Sequence, residues 1–162
     1  MQLHGLIHSF PQHVKLFIMA FVVVLSIGYF TGLLFLRESD SISSAGIEEN
    51  YMGNEEVEDV KIMKFEKSER EMLTILHTHV LSISFIFFML GCLVAITSLP
   101  QKIKTFLMIE PFFSIVFTFG GIYLMWKGLS WMKYVVMISG ILMTIVYIAS
   151  VGAILFQLSK KK

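Results

Sequence analysis

The sequence predicts an all-α integral membrane protein: a four-helix bundle, N-in/C-in, with an acidic outer loop between helices one and two. Three observations predict it. Of 162 residues, 56% are hydrophobic and the mean hydropathy is +0.75, too apolar for a water-soluble domain of this size. Four uncharged or nearly uncharged stretches, 16–36, 72–99, 105–126 and 134–158, each reach the roughly 20 residues that cross a hydrocarbon core about 30 Å thick. The charges, though they sum only to +1, are distributed very unevenly along the chain. One membrane domain over 1–162 follows, with spans at about 14–36, 70–99, 103–126 and 132–158 and an outer loop at 37–69.

Helix one carries an apolar run longer than the roughly 7 to 15 residues of a secretory signal, and Phe35-Leu36-Arg37-Glu38 lacks the small residues of a cleavage site. It is expected to be a retained helix. The outer segment 37–71 holds 11 acidic and 5 basic residues, a net of −6. Its first part reads as polar and mobile. Val57, Val60, Ile62 and Phe65 are expected to form a short interfacial element, helix or strand being left open.

Ser68-Glu69-Arg70-Glu71 matches the S-x-x-E capping box, so helix two starts just outside the membrane. Pro100 ends helix two or opens helix three, because it has no N–H to donate. Trp126 and Trp131 flank the short turn before helix four as interfacial anchors, and Ser130 is the expected cap of that helix. Lys15, Lys102, Lys104 and Lys160-Lys161-Lys162 fall on one side of these spans, against Lys127 and Lys133 opposite. By the positive-inside rule the lysine-rich side is cytoplasmic, and a bacterial inner membrane is the expected location.

Chemistry is sparse in this chain. The small net charge argues against nucleic-acid binding, and the lone Cys92, read as a packing residue, excludes an intrachain disulfide. No Walker loop, G-x-S-x-G or H-E-x-x-H is present, so independent enzymatic activity is not expected.

Two imidazoles stand out in helix two. His77, Ser84, Gly91 and Ser98 are spaced by seven and share a small, polar stripe, which places His77 inside the bundle. His79 is rotated about 200° from it, towards a different neighbour. At a similar depth lie Gly28 and Gly32 of helix one, Gly120 and Gly121 of helix three and Gly140 of helix four, all read as close-approach positions. Two accounts fit: close packing with a hydrogen-bonded histidine, or a pocket in which an imidazole ligates the iron of a flat macrocycle.

The stretch His77-Thr78-His79-Val80-Leu81, followed by Met89-Leu90-Gly91, resembles the H-x-H helix of heme-copper oxidase-like membrane heme proteins. That resemblance implies His77 and His79 as heme or metal candidates and heme b as a candidate cofactor, the cofactor itself being left open, while the family's other helices and metal ligands are missing here. The whole pattern is also similar to small four-helix bacterial inner-membrane proteins of unassigned function.

Glu110, followed by Pro111, lies about 9 Å inside the lysine-rich boundary by helical rise. Hydrocarbon favours its neutral, hydrogen-bonded form, and the proline frees a backbone carbonyl for it to bond. It is a candidate proton relay, or a carboxylate ligand beside His4, His8 and His13, of which His4 and His8 are spaced to share a helix face. Pairing with Lys104 or Lys15 is the plainer alternative.

Three functions are compatible with these residues. One is an accessory or anchoring subunit of a larger membrane complex, respiratory for example, surrounded by lipid and other subunits, its acidic loop steering a cationic partner. Another is a small heme- or metal-binding electron-transfer or assembly protein using His77 and His79. The last is a proton-coupled small transporter using Glu110.

Overall fold

The computed structural model describes residues 3–55 and 62–160. Val57, Val60, Lys161 and Lys162 lie outside the described residues, so the interfacial element expected around 57–65 is described only from Ile62 onward. A 3₁₀ turn, Leu6–Ser9, precedes five helices: α1 (Gln12–Glu38), α2 (Ser44–Met52), α3 (Glu69–Ala95), α4 (Gln101–Trp126) and α5 (Met132–Ser159). There is no strand among the described residues. The four long helices are the four expected spans, and each is long and apolar enough to cross a membrane.

α4 is the axis of the bundle. It packs most extensively on α5 and α3, whereas α1 meets the bundle chiefly along α5. Half of the most apolar 18-residue window of α4 is buried, compared with 11% in α1 and 22% in α3. The faces left over are dominated by Phe, Ile, Leu and Val, as lipid contact requires. Cys92 is among the exposed residues and does not pack as expected.

Of the glycines read as close-approach positions, Gly121 alone is in tight contact: a Cβ there would stand 2.8 Å from Val136 Cγ2 of α5. A Cβ at Gly28, Gly32, Gly120 or Gly140 would meet nothing within 4 Å. Sharing a depth in the membrane did not imply sharing an interface, because a Cβ at these glycines would meet no neighbouring helix among the described residues.

At the lysine-rich end the chain before α1 clamps the α3–α4 turn. Gly5, in a left-handed conformation (φ 73°), donates its N–H to the Thr97 carbonyl at 3.0 Å, and Ile7 donates to Ile96 at 3.1 Å. Gln157 of α5 accepts from the Ser98 N–H at 2.8 Å and from its hydroxyl at 3.1 Å. Lys104 is buried, and its Nζ donates to the Ala95 carbonyl at 2.9 Å, where a cation meets the open C-terminus of α3.

The acidic end departs most from expectation. The polar first part of the outer loop, expected to be mobile, contains α2, packed over the ends of α4 and α5. Ser43 caps α2 by accepting the Gly46 N–H at 3.0 Å, Ile47 is buried, and Tyr51 one turn on packs with the core. Glu48 pairs with Lys133 of α5 at 2.5 Å. Asn54 brackets the returning chain, accepting the Lys64 N–H at 2.7 Å and donating to the Ile62 carbonyl at 3.1 Å. The Trp126 indole N–H donates to the Lys67 carbonyl at 2.9 Å, so Trp126 anchors protein, whereas Trp131 is exposed.

Both arms of the capping box at Ser68 and Glu71 are formed. Ser130 does not cap α5: Trp131 occupies the cap position, without a side-chain bond.

Candidate functional site

The buried seam of α3 runs through Met72, Phe87, Leu90, Gly91 and Val94. At 100° per residue, His77 and His79 lie about 80° to either side of the line through Phe87. Both are exposed. Within the expected stripe Gly91 is buried, Ser84 is intermediate, and His77 and Ser98 are exposed. A seven-residue repeat drifts about 20° per heptad on a straight helix, so His77, two heptads before Gly91, lies about 40° further from the buried seam, at its edge and not within it. The expectation that His77 faces the bundle interior is corrected accordingly.

His77 instead lines a shallow, open groove at the acidic end of α3 with Glu69, Arg70, Leu73 and Thr74. His79 is the imidazole that leans on the bundle, its ring centroid 5.5 Å from that of Phe119 on α4. Its Nδ1 is 2.8 Å from the Ile75 carbonyl oxygen. A carbonyl can only accept, so Nδ1 carries the hydrogen and donates, which in the neutral imidazole leaves Nε2 as the acceptor. Metal-ligating histidines are commonly held in this way, with the other ring nitrogen donating to a carbonyl.

Glu110 lies on the buried face of α4, 9% exposed. Its Oε1 accepts the hydroxyl of Ser114, one turn further along. Its Oε2 is buried and has no hydrogen-bond partner. The bond expected to the carbonyl freed by Pro111 is therefore not made, since the carboxyl reaches towards Ser114 instead. Pairing with Lys104 or Lys15 does not occur either: neither forms an ion pair with the carboxyl, and the Lys104 ammonium is bound to the Ala95 carbonyl.

The amino-terminal histidines do not gather around Glu110. His4 sits in the turn before the 3₁₀ segment, His8 lies within it with Nε2 3.4 Å from the Ser98 hydroxyl, and His13 is exposed on α1 beyond the break at Pro11. Left-handed Gly5 separates His4 from His8, so the two do not share a helix face. Among the described residues no group of three or more His, Cys, Asp or Glu side chains is placed to hold a metal ion.

Sequence reasoning missed a polar clasp between α1 and α5. Tyr29 of α1 has its hydroxyl 3.3 Å from Thr144 Oγ1 of α5, and Tyr147 of α5 donates to Ser26 of α1 at 3.2 Å. A Ser-x-x-Tyr in one helix and a Thr-x-x-Tyr in another were the available signal.

Fold and surface together define an integral membrane protein of four spanning helices in contact with lipid. The family model Aq_1264_TM, a transmembrane helical domain, matches residues 41–162, and the chain belongs to that family. The match takes in α2 to α5 and leaves out α1. No curated protein and no solved structure matches the chain.

Proposed function

We propose that this protein is an accessory or anchoring subunit of a larger membrane complex, with its lysine-rich end in the cytoplasm of a bacterial cell. The observation that carries this reading is the exposure of His77 and His79 on the surface of the second span. An imidazole facing hydrocarbon is costly, and such residues normally face protein or water, so another protein on α3 would relieve that cost. The low burial of α1 and α3 supports the same reading, since both have faces available for helix contacts. α2 and its ion pair give the acidic end a defined surface, on which carboxylates outside the two ion pairs and the capping box, such as Glu49, remain for a cationic partner.

Gentle detergent extraction, native electrophoresis and mass spectrometry test this. A discrete band with stoichiometric partners is expected, and migration as a lone 18.5 kDa chain in a detergent micelle contradicts it.

A second reading rests on the geometry of His79. Nε2 is free and Nδ1 is tied to a carbonyl, an arrangement suited to an axial ligand of heme b, with the second ligand or an open position supplied from outside this chain. A Soret band in the purified complex that is lost in His79→Ala, or in His77→Ala if the groove is the site, supports it. A colourless complex removes it. Transport through Glu110 rests on less, as only the carboxyl itself speaks for it.

A further inference from the structure

We propose that Glu110 is a proton-binding site within the membrane: its carboxyl is held neutral, with the proton on Oε2. This inference does not rest on the subunit reading above. Eleven of the 12 acidic residues lie in the outer segment, and Glu110 is the only one within the apolar spans. Its two oxygens have different surroundings. Oε1 receives the Ser114 hydroxyl, while Oε2, equally buried, has no donor.

A carboxylate in that position would leave charge on an oxygen that nothing solvates, at a cost of several kcal/mol in a low-dielectric interior. Among the described residues no ammonium pairs with it: neither Lys104 nor Lys15, the buried lysines at the same end, forms an ion pair with this carboxyl. The ion pairs among the described residues, Lys133–Glu48 and Lys127–Glu69, are both at the acidic end of the bundle. Lys104, on the same helix, is bound to Ala95.

The helices packed against α4 carry no charge at the level of Glu110. Between Ser82 and Ala95, α3 has Cys92 as its only titratable side chain, and Cys92 is exposed. From Tyr134 onward, α5 has Tyr134, at the opposite end, and Tyr147, whose hydroxyl is bonded to Ser26. Protonation of Oε2 removes the uncompensated charge without moving any side chain. The site then holds one proton, taken from water at the lysine-rich end, six residues or about 9 Å from Lys104 by helical rise.

Infrared spectroscopy of the full-length protein in lipid vesicles at neutral pH tests the proposal. A carboxylic-acid C=O band is expected in the wild type and should be absent in Glu110→Gln, which keeps the shape and the acceptor for Ser114. Identical spectra in this region would overturn it, because the carboxyl would then be ionised. Should Glu110→Gln fail to assemble, the wild type decides through a hydrophobic carbodiimide. A neutral carboxyl protonates the reagent's nitrogen and adds to its central carbon, and the product rearranges to a stable N-acylurea with no atom lost. An adduct at Glu110, found by peptide mass spectrometry, supports the site. No adduct, or an adduct prevented by sodium or magnesium ions, overturns it, the latter by showing a carboxylate that holds a metal cation.

Discussion

Tyr29 of α1 stacks on Tyr147 of α5 with ring centroids 3.7 Å apart and planes 3° from parallel, and each hydroxyl is directed to the other helix. This reciprocal clasp is the main polar tie between α1 and the bundle, and a 27-residue helix with little other burial depends on it. Interhelical hydrogen bonds in membranes average about 0.6 kcal/mol, so Tyr29→Phe should cost about that much. Tyr29→Ala also loses the ring contact, for a total of about 1.5 kcal/mol or more. Unfolding in mixed micelles, followed by a fluorophore on α1, measures both. Equal effects of the two variants would mean that the stack contributes nothing.

α2 should be dislodged by one methyl group. A Cβ at Gly46 would lie 1.8 Å from the Asp40 carbonyl oxygen, which is backbone and cannot step aside as a flexible side chain can. Gly46→Ala should therefore expose the 40–52 region to protease while the four spans stay folded. Glu48→Ala should have a smaller effect, because the ion pair with Lys133 is partly exposed to solvent. The swapped pair Glu48→Lys with Lys133→Glu should recover much of that loss in the same proteolysis assay.

Tyr51 makes the attachment of α2 sensitive to alkali. Burial pushes its hydroxyl above the usual value of 10.0. A detached Tyr51 ionises near that value while the packed one stays neutral, so its contribution is complete below it and is lost as pH rises through the higher folded value. Protease sensitivity of 40–52 should rise in that alkaline window, and Tyr51→Phe should flatten the response. An unchanged pH profile in Tyr51→Phe would assign the effect to another group.

The glycines separate contacts within the chain from contacts outside it. Gly121→Ala presses on Val136, a side chain with few rotamers, and should cost about 1 to 3 kcal/mol in α4–α5 packing. Gly28→Ala and Gly32→Ala press on nothing in this chain and should leave its own stability unchanged or slightly raised. If either of those two alters native-gel migration, the face bearing them touches another protein.

Much of the fold was legible in the sequence because a membrane span needs only length and apolarity, and a capping box only two residues three apart. α2 was hidden by composition: its acidic, serine-rich neighbourhood reads as solvated, although Ser43, Ile47, Tyr51 and Gly53 mark a cap, an inward stripe and a stop. The orientation of His77 was misread because heptad spacing was extended over two repeats without its drift. The buried position of Glu110 was legible. Its bond to Ser114, four residues on, was available in the sequence but was passed over for the proline.

The central claim is that a protein, and not only lipid, covers the histidine-bearing surface of α3. Site-specific photo-crosslinking in native membranes tests it most directly, from Leu81, exposed about one turn from His77 on the same side of the helix. A single discrete protein adduct, identified by mass spectrometry and absent without illumination, is the predicted result. Adducts to lipid alone at Leu81 would contradict the claim.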